Sequence, residues 1–541
     1  MSRSGSPSIN PTTRDLSRPI HRTPPEVFAL IFILVVENNC FGWHNHGSRQ
    51  YSAFILAMIC SNWRTTALNT PEIWARIRIR EDFSLERYNP ARELRGLKLC
   101  VERASWCPLS VELTLDQTAL STRDWDLTWE HTTLFEFLTE HSVWSSLVIH
   151  IRGFRPEVHR TIFEMLKGNL RSLVRLGVHL IETEDMEILR TWKGTNAFPN
   201  LRALELSHAH AQNPEERLIY YDPSARAFTT IDTSIFPYQR LTHISLDLFR
   251  RVEDALQVLQ LCKSLQSVHI HCSFYFQESS APLALSQNSP ISLPYLDTLA
   301  IYAYPKWRDR RRGMLSLPYL VGSLTVPSLK SLSLSWDIDI SDEEEPLICA
   351  AINDLFIRSG VSTSLRKLGL SISGISTSAP TVWGDLLEEM TGLEELHIKL
   401  TEHDVATKAN TSESVFLQQL LQETEPGSDA PPMPYFLPDL KYLQIRYVRW
   451  TLRDRHRTSW PGCINVLQGI LDEGRSSHLV AWLTEFESMV DWRNTRGLKS
   501  VLLEIEGNGL DTDLERSGCL ERLKRMQEDP TARLAMRVSM V

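Results

Sequence analysis

Three residues near the start of the chain, Cys40, His44 and His46, have the donor types and the closeness that a zinc ion would take. Structural zinc draws four ligands from paired spacings, and no second Cys or His pair lies nearby, so the trio reads as part of a polar surface loop. Nucleophilic and phosphate chemistry leave no signature. The chain has no Gly-x-Ser-x-Gly elbow, no Gly-x-x-x-x-Gly-Lys-Ser/Thr loop and no His-Glu-x-x-His helix. Two basic stretches with interleaved aromatics, Lys306 to Arg312 (KWRDRRR) and Arg446 to Arg457 (RYVRWTLRDRHR), have the composition of single-strand nucleic-acid grooves. The net charge of −9 opposes whole-chain attraction to nucleic acid and leaves both as solvated, salt-bridged segments. The first also has the composition of a nuclear-import signal. No catalytic residue, metal or cofactor is expected.

The nine cysteines are scattered, and the closest two, Cys100 and Cys107, are seven residues apart. That usage fits reduced, mostly buried thiols in the cytoplasm and/or nucleus. The longest apolar run, Val27 to Val36, is ten residues, about half of the ~20 that span a bilayer. It follows Arg14, Arg18 and Arg22, as a signal sequence would, yet leads into Glu37, Asn38 and Asn39 rather than a small-residue cleavage site. No membrane association is expected. Apolar content of 42% with 23% charged residues is ample for a core.

With no chemistry announced, the elements that would present a binding surface become the subject. From about residue 165 one phrase recurs: an anchor Leu, then apolar residues three and five places on. It occurs as Leu173-Leu176-Val178, Leu201-Leu204-Leu206, Leu241-Ile244-Leu246, Leu265-Val268-Ile270 and Leu296-Leu299-Ile301. It continues as Leu329-Leu332-Leu334, Leu365-Leu368-Leu370, Leu393-Leu396-Ile398, Leu440-Leu443-Ile445 and Leu498-Val501-Leu503. The last two members are two apart, so they share one face of a strand. Apolar-Pro lead-ins such as Phe198-Pro199, Leu293-Pro294 and Val326-Pro327 set extended entries.

Between the phrases lie amphipathic helix candidates: Glu184–Trp192, Val252–Leu261, Leu347–Ile357, Val382–Met390 and Val415–Leu421. Inserts at Ala209–Thr233 and Thr401–Met433 read as surface loops. Strand, helix, strand at roughly thirty-residue intervals resembles an irregular leucine-rich-repeat solenoid, an α/β array of parallel strands with outer helices. The usual inter-turn Asn of such repeats is missing. Residues alternating with the core pair would line the open sheet face: Glu205, Asp247, His269, His271, Tyr302, His397, Lys399 and Arg446 are the substrate-facing candidates.

Ahead of the array, residues 1–19 are Ser-, Pro- and Arg-rich and read as a disordered lead-in. Pro24, Pro25 and Glu26 then open a nearly all-round apolar helix, which demands burial against neighbours. A polar loop, Asn38 to Gln50, separates it from a second helix expected over about Ser52 to Leu68, stopped by Pro71 and followed by Trp74. Ile55, Ile59, Trp63 and Ala67 recur there at i+4. Pro24, Pro25, Glu26, Val27, Ile31 and Phe32, then Ile59, Cys60, Trp63, Arg64, Ala67 and Leu68, then Pro71 and Trp74, resemble an F-box. Segments Leu97–Leu115 and Ser142–Ile151 look like those that follow the F-box in many fungal proteins of that kind.

The resemblance implies a short helical domain that docks a Skp-family adaptor, and through it a cullin–RING ubiquitin ligase. Pro24, Pro25, Ile31, Phe32, Ile59, Trp63 and Leu68 would make the adaptor contact; the solenoid would hold an unidentified protein substrate. The alternative is an adaptor-independent interaction scaffold, which Thr23, standing where the family has Leu, and the long 38–50 loop would suit. The expected order is a helical domain at 20–80, a linker with first strands at 81–160, the solenoid at 161–510 and a C-terminal helix or tail at 511–541.

Overall fold

The computed structural model describes residues 23–38, 52–82, 90–116, 129–140, 143–152, 156–180, 198–208, 235–249, 252–272, 290–303, 316–336, 345–373, 386–387, 390–402, 439–449, 500–507, 525 and 534–539. Several expectations lie outside these residues: the lead-in, the 39–50 loop with Cys40, His44 and His46, the helices at 184–192 and 415–421, and most of that at 382–390. So do the inserts at 209–233 and 403–433 and the basic stretches at 306–312 and 450–457. The chain forms two compact units, Met1–Leu201 and Arg202–Val541.

The first unit opens with α1 (Pro25–Asn38), α2 (Ser52–Ile59), α3 (Ser61–Leu68) and the single turn α4 (Pro71–Trp74). The Pro24 carbonyl accepts the Val27 and Phe28 N–H groups, which starts α1 where Pro25 has no N–H to lose. The single helix expected over 52–68 is broken at Cys60, whose backbone is extended (φ −157°, ψ 171°). Its Sγ accepts the Trp63 N–H at 3.4 Å, so Cys60 caps α3. Arg64 bridges the break by donating from Nε to the Ala57 carbonyl at 3.0 Å.

Strand–helix repeats follow at once: β1 (Arg76–Asp82), α5 (Pro90–Ala104), β2 (Leu109–Asp116), α6 (Trp129–Glu140), β3 (Trp144–Arg152), α7 (Pro156–Leu166) and β4 (Arg175–Leu180). The strands are parallel in sequence order. Their core residues stand in register, Ile77–Val111–Leu147–Leu176 and Ile79–Leu113–Ile149–Val178. Among the described residues of 81–160, expected as a linker with first strands, parallel strands already alternate with helices, and the first of these strands starts at Arg76. The anchor phrase is present here in disguise. Trp74 stands three before Ile77, and Trp144 three before Leu147; both indoles are fully buried where later repeats use Leu.

The second unit contains β5 (Ala203–His208), β6 (His243–Phe249), α8 (Val252–Leu261), β7 (Ser267–Cys272), β8 (Ile291–Ser292), β9 (Thr298–Ala303), α9 (Ser316–Gly322) and β10 (Leu324–Thr325). It continues with β11 (Ser331–Trp336), α10 (Glu345–Ser359), β12 (Lys367–Ser373), β13 (Glu395–Glu402), β14 (Tyr442–Arg449), β15 (Ser500–Gly507) and β16 (Leu534–Ser539). Its main sheet is parallel in sequence order, with β8 and β10 forming a separate two-stranded pair. Strand β16 occupies ground expected as helix or tail; Leu534 pairs with Val501 and Met536 with Leu503, but Thr531 stands at the anchor place and hides the phrase.

Each of the ten phrases places its +3 and +5 residues in a strand. In the second unit they make two apolar ladders, beginning Leu204–Ile244–Val268–Leu299–Leu332 and Leu206–Leu246–Ile270–Ile301–Leu334, and reaching Val501 and Leu503. Most rungs are at most 2% exposed. Burying one such side chain stabilises by about 1.5–3 kcal/mol, which sets the register, because a one-residue slip would turn a whole rung outward. The protein is thus α/β, with parallel strands alternating with helices.

The missing inter-turn Asn is replaced by the residue just before the anchor. Ser172 donates to the Trp144 carbonyl (2.7 Å), Asn200 to Arg171 (3.0 Å), Ser264 to Gln239 (3.0 Å) and Ser328 to Pro294 (2.6 Å). Gly392 takes this place before Leu393, and a Cβ there would lie 2.3 Å from the Thr363 carbonyl oxygen. At Gly392 the two repeats approach so closely that no side chain fits without a shift of the Thr363 carbonyl.

Candidate docking face and open sheet face

The helical start of the first unit is held by aromatic packing. Phe28 and Phe32 lie one turn apart on α1, and both rings meet the Trp63 indole, with centroids 5.9 Å and 5.0 Å away. Phe32, one of the residues expected at an adaptor contact, is fully buried and holds α1 to α3. Trp63, half-buried against the same rings, shares that work. Trp74 donates its indole N–H to the Ala67 carbonyl at 2.6 Å, meets Phe54 edge-on at 5.1 Å and carries the Arg103 guanidinium at 4.4 Å over its ring. The same indole anchors β1, so helical start and first repeat share one core.

What remains outside is unusually apolar. On α1, Val27, Leu30, Ile31 and Leu34 recur at helical spacing along an arc beside the Phe28–Phe32 side, and all four are exposed, Leu30 at 62% and Ile31 at 42%. On the next two helices Met58 (76%), Ile59 and Leu68 are exposed too. Of fifteen large, strongly exposed apolar side chains among the described residues, these short helices hold seven. Pro24 and Pro25 are exposed at its entry. Ile31, Ile59, Leu68 and the two prolines therefore stay available for contact, while Phe32 does not. Val27, Leu30, Leu34 and Met58 were missed because an all-round apolar helix has no periodicity to say which side is buried.

The sheet face away from the ladders carries the other candidates, and the structure divides them. Glu205 and His269 are half-buried and separated by Ser245. Burial pushes the His269 imidazole below its usual range, Glu205 pulls it up and His243 pushes it down again. His271 stacks on Tyr302, centroids 4.4 Å apart. Asp247 lies in β6 and, further along, Lys399 pairs in register with Arg446. Small residues, Ser335 and Ser371, stand between the His271–Tyr302 pair and the Lys399–Arg446 pair.

His397 approaches Glu395 at 3.5 Å, and Lys367 bonds the same carboxylate at 3.0 Å. The Lys367 hydrogen bond is the main cause holding the Glu395 carboxyl below its usual range, against a smaller upward push from burial. This Lys367–Glu395–His397 group was not anticipated; its signal is the register, which sets Lys367 beside Glu395.

Among the described residues no group of three or more His, Cys, Asp or Glu is arranged to hold a metal ion, and no helix is long and apolar enough to cross a membrane. Cys60, Cys100, Cys107, Cys262 and Cys349 are free thiols. Burial pushes Cys100 and Cys262 up to about 12, so both stay protonated and unreactive at neutral pH. Comparison with protein-family models and with curated proteins returned no match.

Proposed function

We propose that this chain is the substrate-recognition subunit of a Skp–cullin–F-box type ubiquitin ligase. Its helical start docks a Skp-family adaptor and its repeat array holds a protein substrate. One observation carries the reading: three short helices with F-box-like residue order leave an apolar arc, Val27, Leu30, Ile31 and Leu34, in solvent. A soluble protein exposes such an arc at a cost that a partner helix or groove offsets. The physical role is proximity. A receptor that holds a substrate lysine near an activated ubiquitin raises its effective concentration and supplies no catalytic side chain of its own.

The test is co-purification of the full chain with a Skp-family adaptor at micromolar concentration, wild type against Ile31→Asp. Ile31 is exposed, so the substitution leaves the fold intact, whereas Phe32→Ala would confound docking with unfolding. Retention by wild type and loss in Ile31→Asp supports the reading. Failure of wild type to retain adaptor sinks it and favours the adaptor-independent scaffold.

A further inference from the structure

The second unit has a recess of about 470 Å³ at the entry ends of β9, β11 and β12, whose lining includes Tyr295, Asp297, Ser328, Lys330, Ser364 and Arg366. The repeat logic explains why it is there. The residue before the anchor is Ser328 and then Ser364 in two successive repeats, both small and turned inward to carbonyls of the preceding repeats. In the repeat before them that place is Tyr295, whose ring stands 65% exposed. Two serines therefore make a low floor beside a tall aromatic wall.

The next residue in each repeat supplies the charge. Asp297, Lys330 and Arg366 are consecutive in a row tied by backbone bonds, Lys330 N to Asp297 O and Arg366 N to Lys330 O, at 2.9 and 2.8 Å. Neighbouring strands are about 4.8 Å apart, so the two cationic side chains leave adjacent backbone positions. Arg366 is braced from the far side by the Gly392 carbonyl (3.1 Å) and by Glu394 (3.4 Å), both through Nη1. Glu394 is itself shared with Lys441 at 2.8 Å. The remaining N–H donors of Arg366 and the whole Lys330 ammonium make no hydrogen bond or ion pair among the described residues. Two cationic side chains from neighbouring repeats, one preset in direction, above a floor of two small residues have the charge and room for one oxyanion.

We infer that this recess binds a single anionic side chain, carboxylate or phosphate, presented by an extended segment of a protein partner. Lys330 and Arg366 take the oxyanion, and the Tyr295 ring covers the aliphatic part of the bound side chain. Asp297 accepts N–H groups of the partner's backbone. Asp297 also argues against a polyanion: a nucleic-acid strand would bring a second phosphate toward its carboxylate, and the chain as a whole carries −9. The inference names a recognition site for the substrate of the proposed ligase, but its test does not pass through the adaptor.

The full chain is titrated with three capped pentapeptides, Gly-Ala-X-Ala-Gly, with X as serine, glutamate or phosphoserine, followed by calorimetry or thermophoresis at low salt. At least one anionic peptide should bind roughly tenfold or more tighter than the serine peptide, weakening as salt rises. The better of the two identifies the source of the oxyanion. Lys330→Glu should abolish the difference, and Tyr295→Ala should weaken both anionic peptides together; both side chains are exposed, so unchanged melting controls for the fold. Equal binding of all three peptides, no binding of any up to millimolar concentration, or Lys330→Glu binding like wild type overturns the site. Lys330→Glu should retain adaptor as wild type does, so loss of the recess and loss of the docking face are separate results.

Discussion

The three helices at the start and the strands behind them are built from the same apolar residue types, yet they spend them in opposite ways. In the second unit's ladders Leu299, Ile301, Leu332 and Leu334 have no exposed surface at all, because each strand residue of the core pair faces its equivalents on both sides. In α1 the apolar residues outnumber the positions its neighbours can cover. Phe28 and Phe32 go inward to Trp63, while Leu30, Ile31 and Leu34 stay in solvent. A ladder is self-sufficient, since each repeat buries the next. A short helical unit with this composition has apolar surface left over, the surface that the proposed docking would cover.

The sharpest way to break this contrast is a pair of changes one residue apart. Phe32→Ala should cost about 3–5 kcal/mol, while Ile31→Ala should stay within about 0.5 kcal/mol. Urea unfolding followed by tryptophan fluorescence measures both; equal costs would mean that α1 does not separate an inner from an outer face. On the ladder side, Leu332→Ala should cost about 2–5 kcal/mol by the same measurement, with no compensating exposed neighbour to soften it.

A pH series sharpens the picture inside the first unit. His179 stacks on His150 with ring centroids 3.9 Å apart, and burial, helped by Arg175, pushes its pKa down from 6.5 to about 4. Because the folded state holds this imidazole neutral, its contribution is fully present above pH 6.5 and is lost as pH falls from about 6.5 to about 4. The loss over that window should be on the order of a few kcal/mol. His179→Phe should flatten that part of the stability–pH curve; an unchanged slope would place the titration elsewhere.

Two smaller effects probe how repeats touch. Gly392→Ala must displace the Thr363 carbonyl and should cost about 1–3 kcal/mol. Ser328→Ala removes one exposed inter-repeat hydrogen bond, and a loss of about 0.5–1.5 kcal/mol is expected. If Gly392→Ala were neutral, the close approach to the Thr363 carbonyl would not be what holds glycine at that position.

How much of this was legible follows from which forces are local. The phrase of an anchor Leu with apolar residues three and five places on marked ten strands, because burial of a strand face repeats at period two whatever surrounds it. It failed at β1, β2, β3 and β16, where Trp74, Pro108, Trp144 and Thr531 stand at the anchor place and a leucine-based pattern cannot find them. The break at Cys60 was missed because a cysteine is a weak cap, and the i+4 pattern from Ile55 to Ala67 runs across it undisturbed. The split between Phe32 inside and Ile31 outside depends on where Trp63 lies, which no local pattern in α1 encodes.

The same division holds for the candidate sites. Residue types alone determined the elements on offer: apolar phrases in strands, a polar alternate face and an apolar helical start. Only the tertiary structure decided which side chains meet: Lys367 with Glu395 across two strands, His271 on Tyr302, and Lys330 beside Arg366 over two serines. The physical reason is register. A parallel ladder brings together residues roughly thirty positions apart with a spacing of about 4.8 Å, and that pairing comes from summed core burial on the opposite face. It cannot be read from the charged residues that end up as neighbours.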